Sequence, residues 1–78
     1  MFYVYILICG DGDYYTGCTI RLKQRLERHR QGEVLATRDR LPVKLAAYVA
    51  FLDKYKAFKF EQYLKSGSGR AFLNRHFC

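Results

Sequence analysis

The chain has 78 residues and a formal net charge of +7, from fourteen Lys/Arg against seven Asp/Glu. That length predicts one small domain over residues 1–78 and no second one, and a half-hydrophobic composition with 17% aromatics excludes disorder. No apolar run reaches the roughly 18–20 residues needed to span a bilayer, so no membrane partner is expected, while the positive excess favours a polyanion, chiefly nucleic acid.

Residues 2–8 (FYVYILI) are rich in β-favouring types and predict a first strand. The run is too short and follows no basic segment, so it does not read as a signal peptide. CGDGD supplies a turn with two glycines, and residues 14–18 (YYTGC) return to complete a hairpin. Thr19 is the expected N-cap of a helix over 20–31 (IRLKQRLERHRQ), with Gly32 as its stop. Leu22 and Leu26 mark the buried stripe of that helix. Arg25 and His29 lie one turn apart along its edge, and Arg21 and Arg28 extend a basic flank.

Residues 33–42 (EVLATRDRLP) hold no sustained period and read as a loop, with Arg38 and Arg40 exposed. Residues 43–51 (VKLAAYVAF) alternate as a third strand. Asp53 caps a second helix (KYKAFKFEQYLKS) that GSG, residues 67–69, is expected to end. Ser68 then opens a third helix over about 70–77. The order ββαβαα gives an α+β domain. Cys9, Cys18 and Cys78 are odd in number and lack CxxC spacing, which favours reduced thiols and a cytoplasmic setting over a disulfide or zinc framework.

Glu61 breaks a pattern. It shares the spacing of Ala57, Phe60 and Leu64, a core-facing stripe where a carboxylate must be paired, bind a metal or border a cleft. The plain account is an ion pair with Lys65 at i+4. Arg25 alone reads as a solvated helix charge and His29 alone as a packing residue. Together, a basic surface, a tyrosine-rich hairpin, an Arg–His pair and an embedded carboxylate suit phosphodiester hydrolysis. That reaction needs positive charge on the phosphate and commonly a divalent ion held by oxygen.

At this point the sequence resembles a GIY-YIG nuclease domain over nearly its whole length. Tyr3-Val4-Tyr5 stands at the first signature and Tyr15-Thr16-Gly17 at the second. Arg25 follows eight residues after Gly17, His29 four later, and Glu61 lies in AFKFEQYLK. The ending LKSGSGRAFL is similar to small stand-alone bacterial members, akin to the nuclease domain of the bacterial repair excinuclease. The resemblance implies a three-stranded antiparallel sheet flanked by helices and a DNA endonuclease, with DNA ahead of RNA and a place in DNA repair or processing. It implies a single Mg²⁺ or Mn²⁺ on Glu61, Arg25 on the phosphate, Tyr15 as general base, and Tyr5 orienting water or a phosphate oxygen. His29 then supports the site. Arg21, Arg25, Arg28, Arg38, Arg40, Lys65 and Arg70 are the expected nucleic-acid contacts.

The sequence departs from the family in having Gln24 where some members carry lysine, and it offers Asn74 for a late asparagine. Two rival readings stay open. One is a basic binding module of the same fold with little or no turnover. The other is an interaction domain that recruits a nuclease partner, and pairing of two copies would be one way to cut both strands.

Strand alternation divides the tyrosines. Tyr5 and Tyr15 share a face only if paired hairpin residues have an even index sum. A Gly10-Asp11-Gly12 loop does this, pairing Cys9 with Asp13 and Tyr5 with Gly17, whereas a four-residue loop separates the rings unless a bulge intervenes. Tyr14 is then the packing residue, and Tyr3 fits either role.

Overall fold

The apolar run at the start of the chain becomes β1 (Phe2–Ile8), the middle strand of a three-stranded antiparallel sheet of order β2-β1-β3. The computed structural model describes residues 1–77, so the thiol expected at Cys78 lies outside the described residues. β2 spans Tyr14–Thr19 and β3 Lys44–Phe51. Helices α1 (Leu22–Arg30), α2 (Lys54–Lys65) and α3 (Gly67–Phe77) complete the ββαβαα order of an α+β domain.

Four consecutive residues of β1, Val4 to Leu7, are buried because both faces of the sheet are covered. On one face Tyr5 and Leu7 pack with Leu22 and Leu26 of α1. On the other, Val4, Ile6 and Tyr14 meet Ala57 and Leu64 of α2 and Leu73 of α3. A strand covered on both sides reads as a continuous apolar run rather than an alternation. Tyr14 packs, as its position implied. No helix is long and apolar enough to cross a membrane among the described residues.

The hairpin closes through a three-residue loop. The Cys9 N–H donates to the Asp13 carbonyl at 2.9 Å, and the Gly12 N–H donates to the Cys9 carbonyl at 2.9 Å. Gly12 sits at φ 84°, a conformation glycine adopts without steric cost. Tyr5 pairs with Gly17 and Leu7 with Tyr15, so the two tyrosines lie on one face. Two ion pairs hold the turn from either side: Arg40 Nε lies 2.7 Å from Asp11, and Arg70 lies 2.9 Å from Asp13. Cys9 and Cys18 are free thiols, the first buried and the second exposed.

Two helix starts differ from expectation. Thr19 ends β2, and its Oγ1 accepts from the Arg21 N–H at 3.1 Å, so α1 begins at Leu22 with Arg21 in the cap position. The GSG stretch does not terminate α2; Gly67, Ser68 and Gly69 form the first turn of α3. Ser66 both ends one helix and starts the next. Its hydroxyl donates to the Tyr63 carbonyl at 2.6 Å and accepts from the Gly69 N–H at 3.2 Å. That cap outweighs the poor helix propensity of two glycines. Asp53 caps α2 as its position implied, accepting from the Tyr55 N–H at 2.8 Å.

Candidate active site

The site is built on the hairpin face that carries Tyr5 and Tyr15. Tyr5 is 1% exposed, and its ring lies over Gly17, where a methyl group would collide with the phenol. Glycine is therefore required by a close approach rather than by backbone conformation. The Tyr5 hydroxyl lies 2.9 Å from His29 Nε2, and His29 Nδ1 lies 2.7 Å from Thr37 Oγ1. His29 and Thr37 expose no surface. Tyr15 is half-buried, with its ring centre 6.4 Å from that of Tyr5 and 5.3 Å from that of His29.

Electrostatics assigns the protons in this chain. Burial, reinforced by Arg25 and Arg28, holds the His29 imidazole below its ordinary pKa. The ring is thus neutral at pH 7, with one donor and one acceptor nitrogen. Burial, then the neighbouring Tyr15, pushes the Tyr5 phenol up to about 12 although Arg25 works against the rise. Tyr5 keeps its proton, and the two nitrogens of the neutral ring, one donor and one acceptor, are matched by the Tyr5 and Thr37 hydroxyls without a charge.

Arg25, half-buried on α1, acts on both Tyr5 and His29. Glu61 lies on α2, whose apolar stripe covers the opposite face. Its charge nevertheless acts on both Tyr5 and Cys18, which belong to opposite faces of the sheet. Glu61 is 6% exposed. Lys65 Nζ approaches Oε2 to 2.6 Å, and Gln62 Nε2 donates to Oε1 at 3.0 Å. The i+4 pairing that helix spacing allows is therefore present.

Among the described residues, no three His, Cys, Asp or Glu side chains gather into a cation site. Glu61 is a lone carboxylate that already holds a cation, the Lys65 ammonium. A divalent ion bound by one carboxylate, water and substrate oxygens suits such a donor set; an ion caged by protein ligands does not.

The basic residues separate into three groups. Arg21, Arg25 and Arg28 line one groove with Thr19, Ile20 and Gln24. Lys65 and Arg70 line a second, beside Tyr14, Tyr15 and Thr16 of the edge strand. Arg38 is exposed on the 3-10 turn Arg38–Arg40. Arg40, expected to be exposed, is half-buried against Asp11 because its guanidinium anchors the hairpin turn. Asn74 stands exposed on α3. Thr37 went unrecognised: it lies in an aperiodic loop, and the only signal for it was that a buried histidine needs two partners.

A hairpin that brings two phenols, a neutral imidazole and a guanidinium together within a small basic α+β domain defines a polar site suited to a phosphate-bearing ligand. Residues 1–75 match the family described as the GIY-YIG catalytic domain, and the chain belongs to this nuclease family. It is 43% identical over 72 residues to a UPF0213 protein of Streptococcus agalactiae, covering 91% of this chain and 82% of that one. A UPF0213 protein of Lacticaseibacillus paracasei is 40% identical over 65 residues, with 82% and 73% covered. The fold is also similar to a solution NMR structure of a UPF0213 protein from Bacillus halodurans. The TM-score is 0.60 at 38% identity, over 96% of this chain and 84% of that one.

Proposed function

We propose that the protein is a divalent-metal-dependent endonuclease that hydrolyses DNA phosphodiester bonds in repair or processing. The observation that carries this reading is the convergence of Tyr5, Tyr15, His29 and Arg25 on one hairpin face. Arg25 binds the scissile phosphate and offsets the charge that builds on it. Tyr5, held protonated to about 12, does not serve as a base; it orients water or a phosphate oxygen, and the His29–Thr37 chain fixes its ring. Tyr15 is the general base for the attacking water. Glu61 is the residue that would hold Mg²⁺ or Mn²⁺, which supplies Lewis-acid stabilisation to phosphate oxygens when bound.

The test incubates the protein with branched, nicked, single-stranded and duplex DNA plus Mg²⁺ or Mn²⁺. Glu61→Ala and Arg25→Ala are each expected to lose about 100-fold or more in rate. Cutting at the wild-type rate by either variant defeats the assignment.

One observation favours a second reading, a binding module with little turnover: both oxygens of Glu61 are already engaged by Lys65 and Gln62. That reading predicts salt-dependent binding without cleavage. Cleavage that vanishes in Tyr15→Phe excludes it.

A further inference from the structure

The sheet face that carries Tyr5 is only partly covered. α1 has nine residues and is about 14 Å long at 1.5 Å per residue, whereas β1 with seven residues runs about 24 Å. The helix reaches Tyr5 and Leu7 and leaves the end of the sheet with Tyr3 and Tyr48 open. Tyr48 pairs directly with Tyr5 across β1 and β3 and is 53% exposed. Its ring centre is 6.0 Å from that of Tyr3, with the planes at 64°. The two rings line an open groove of about 530 Å³ together with Leu22 and Leu26 of α1, and Ile20, Arg21, Lys23 and Gln24 complete its lining. Neither ring takes part in the phosphate chemistry.

We infer that this groove is a stacking subsite for an unpaired nucleobase, and that the strand entering the site is single-stranded or a single-stranded arm of branched DNA. The inference rests on the nuclease reading for its orientation but not for its chemistry. A base lying flat on one tyrosine meets the edge of the other, the geometry aromatic pairs favour. Arg21 and Lys23 stand where the flanking phosphates would pass. Ile20, Arg21 and Gln24 also line the groove that contains Arg25. One continuous surface therefore runs from the phosphate-binding arginine to the tyrosine pair. Bases in a duplex are already stacked and cannot lie on Tyr48; an unpaired base can. A second copy of the chain is a poor occupant, because each copy carries +7 and would bring its own Arg21 and Lys23 to the same rim.

Binding is measured by fluorescence anisotropy in chelator, where nothing is cut, with a short single-stranded oligothymidylate and a blunt duplex of equal length as probes. Tyr48→Ala is expected to weaken the single strand about tenfold and the duplex less than twofold, while Tyr48→Phe binds both as wild type does. Wild-type affinity of Tyr48→Ala for the single strand overturns the inference, as does equal loss on both probes. A wild-type dimer that Tyr48→Ala converts to monomer in sedimentation also overturns it, since the groove would then be an interface between copies. Cleavage is scored separately with Mg²⁺. A wild type that cuts nothing yet shows the selective Tyr48→Ala loss upholds the subsite and sinks the nuclease reading.

Discussion

His29 is fully buried, and both of its ring nitrogens have hydroxyl partners, Tyr5 on one side and Thr37 on the other. The proton on Tyr5 is what allows this chain to be neutral, so it links the site to stability. The Tyr5 phenol is raised from 10.0 to about 12 in the folded protein. Between those pH values the unfolded chain has released a proton that the folded one retains, so stability is full below about pH 10 and falls as pH rises toward 12. The expected loss is about 1.4 kcal/mol per pH unit for this one group. Unfolding free energies from urea titrations between about pH 10 and 12 should fall more steeply for wild type than for Tyr5→Phe by about that slope; parallel curves would show that Tyr5 is not the group responsible. Much of this chain was legible from the sequence. Arg25 and His29 could be placed by helix spacing, and Tyr5 by strand alternation. Thr37 could not, because its contact spans an irregular loop that only the folded chain brings back to α1.

α3 enters the core because Ser66 turns the chain sharply and Gly69 lets the new helix approach the end of α2. A Cβ on Gly69 would lie 2.5 Å from Leu64 Cα and would overlap the Tyr63 carbonyl, while one on Gly67 meets nothing within 4 Å. Alanine should therefore have opposite effects two residues apart. Gly67→Ala is expected to stabilise by up to about 1 kcal/mol through a stiffer unfolded chain and better helix propensity. Gly69→Ala is expected to destabilise by about 2 kcal/mol or more as α3 lifts Leu73 from the core. Urea unfolding of the two variants checks both signs. The sequence signalled the three strands and three helices, since β-favouring runs and amphipathic spacing mark them. It misplaced the α2–α3 junction, because glycine is an ordinary helix stop and only the Ser66 hydroxyl bonds show that these glycines begin a helix instead.

Charge over the whole molecule is distributed unevenly. Asp11, Asp13, Glu27, Glu33 and Glu61 each lie in an ion pair, with Arg40, Arg70, Arg30, Arg28 and Lys65 respectively. Arg21, Lys23 and Arg25 on α1 and its approach belong to none of these five pairs, and neither do Lys54, Lys56 and Lys59 of α2. Of the two groups, the one on α1 adjoins the groove that holds Arg25, and that is the face a polyanion at the candidate site should meet. Each single-strand phosphate contact contributes about 0.7 to the slope of log K against log salt. Arg21→Gln should lower that slope by about this amount. Arg40→Gln should leave it unchanged and lower the melting temperature instead, because the Arg40 charge is committed to Asp11. Equal slopes for wild type and Arg21→Gln would remove α1 from the binding face. From composition alone, all seven basic candidates looked equivalent; the fold separates them by whether an acid from a distant segment lies beside them.

The three-residue turn between Cys9 and Asp13 also limits how this chain can change over evolutionary time. A single insertion or deletion that kept the three-residue turn would slide β2 one place along β1 and exchange Tyr14 and Tyr15 between faces, moving a core ring to the site and the site ring into the core. A slide of two residues would keep both where they are. Single steps at this turn should therefore be tolerated only where a loop of altered length or a compensating bulge keeps the present pairing.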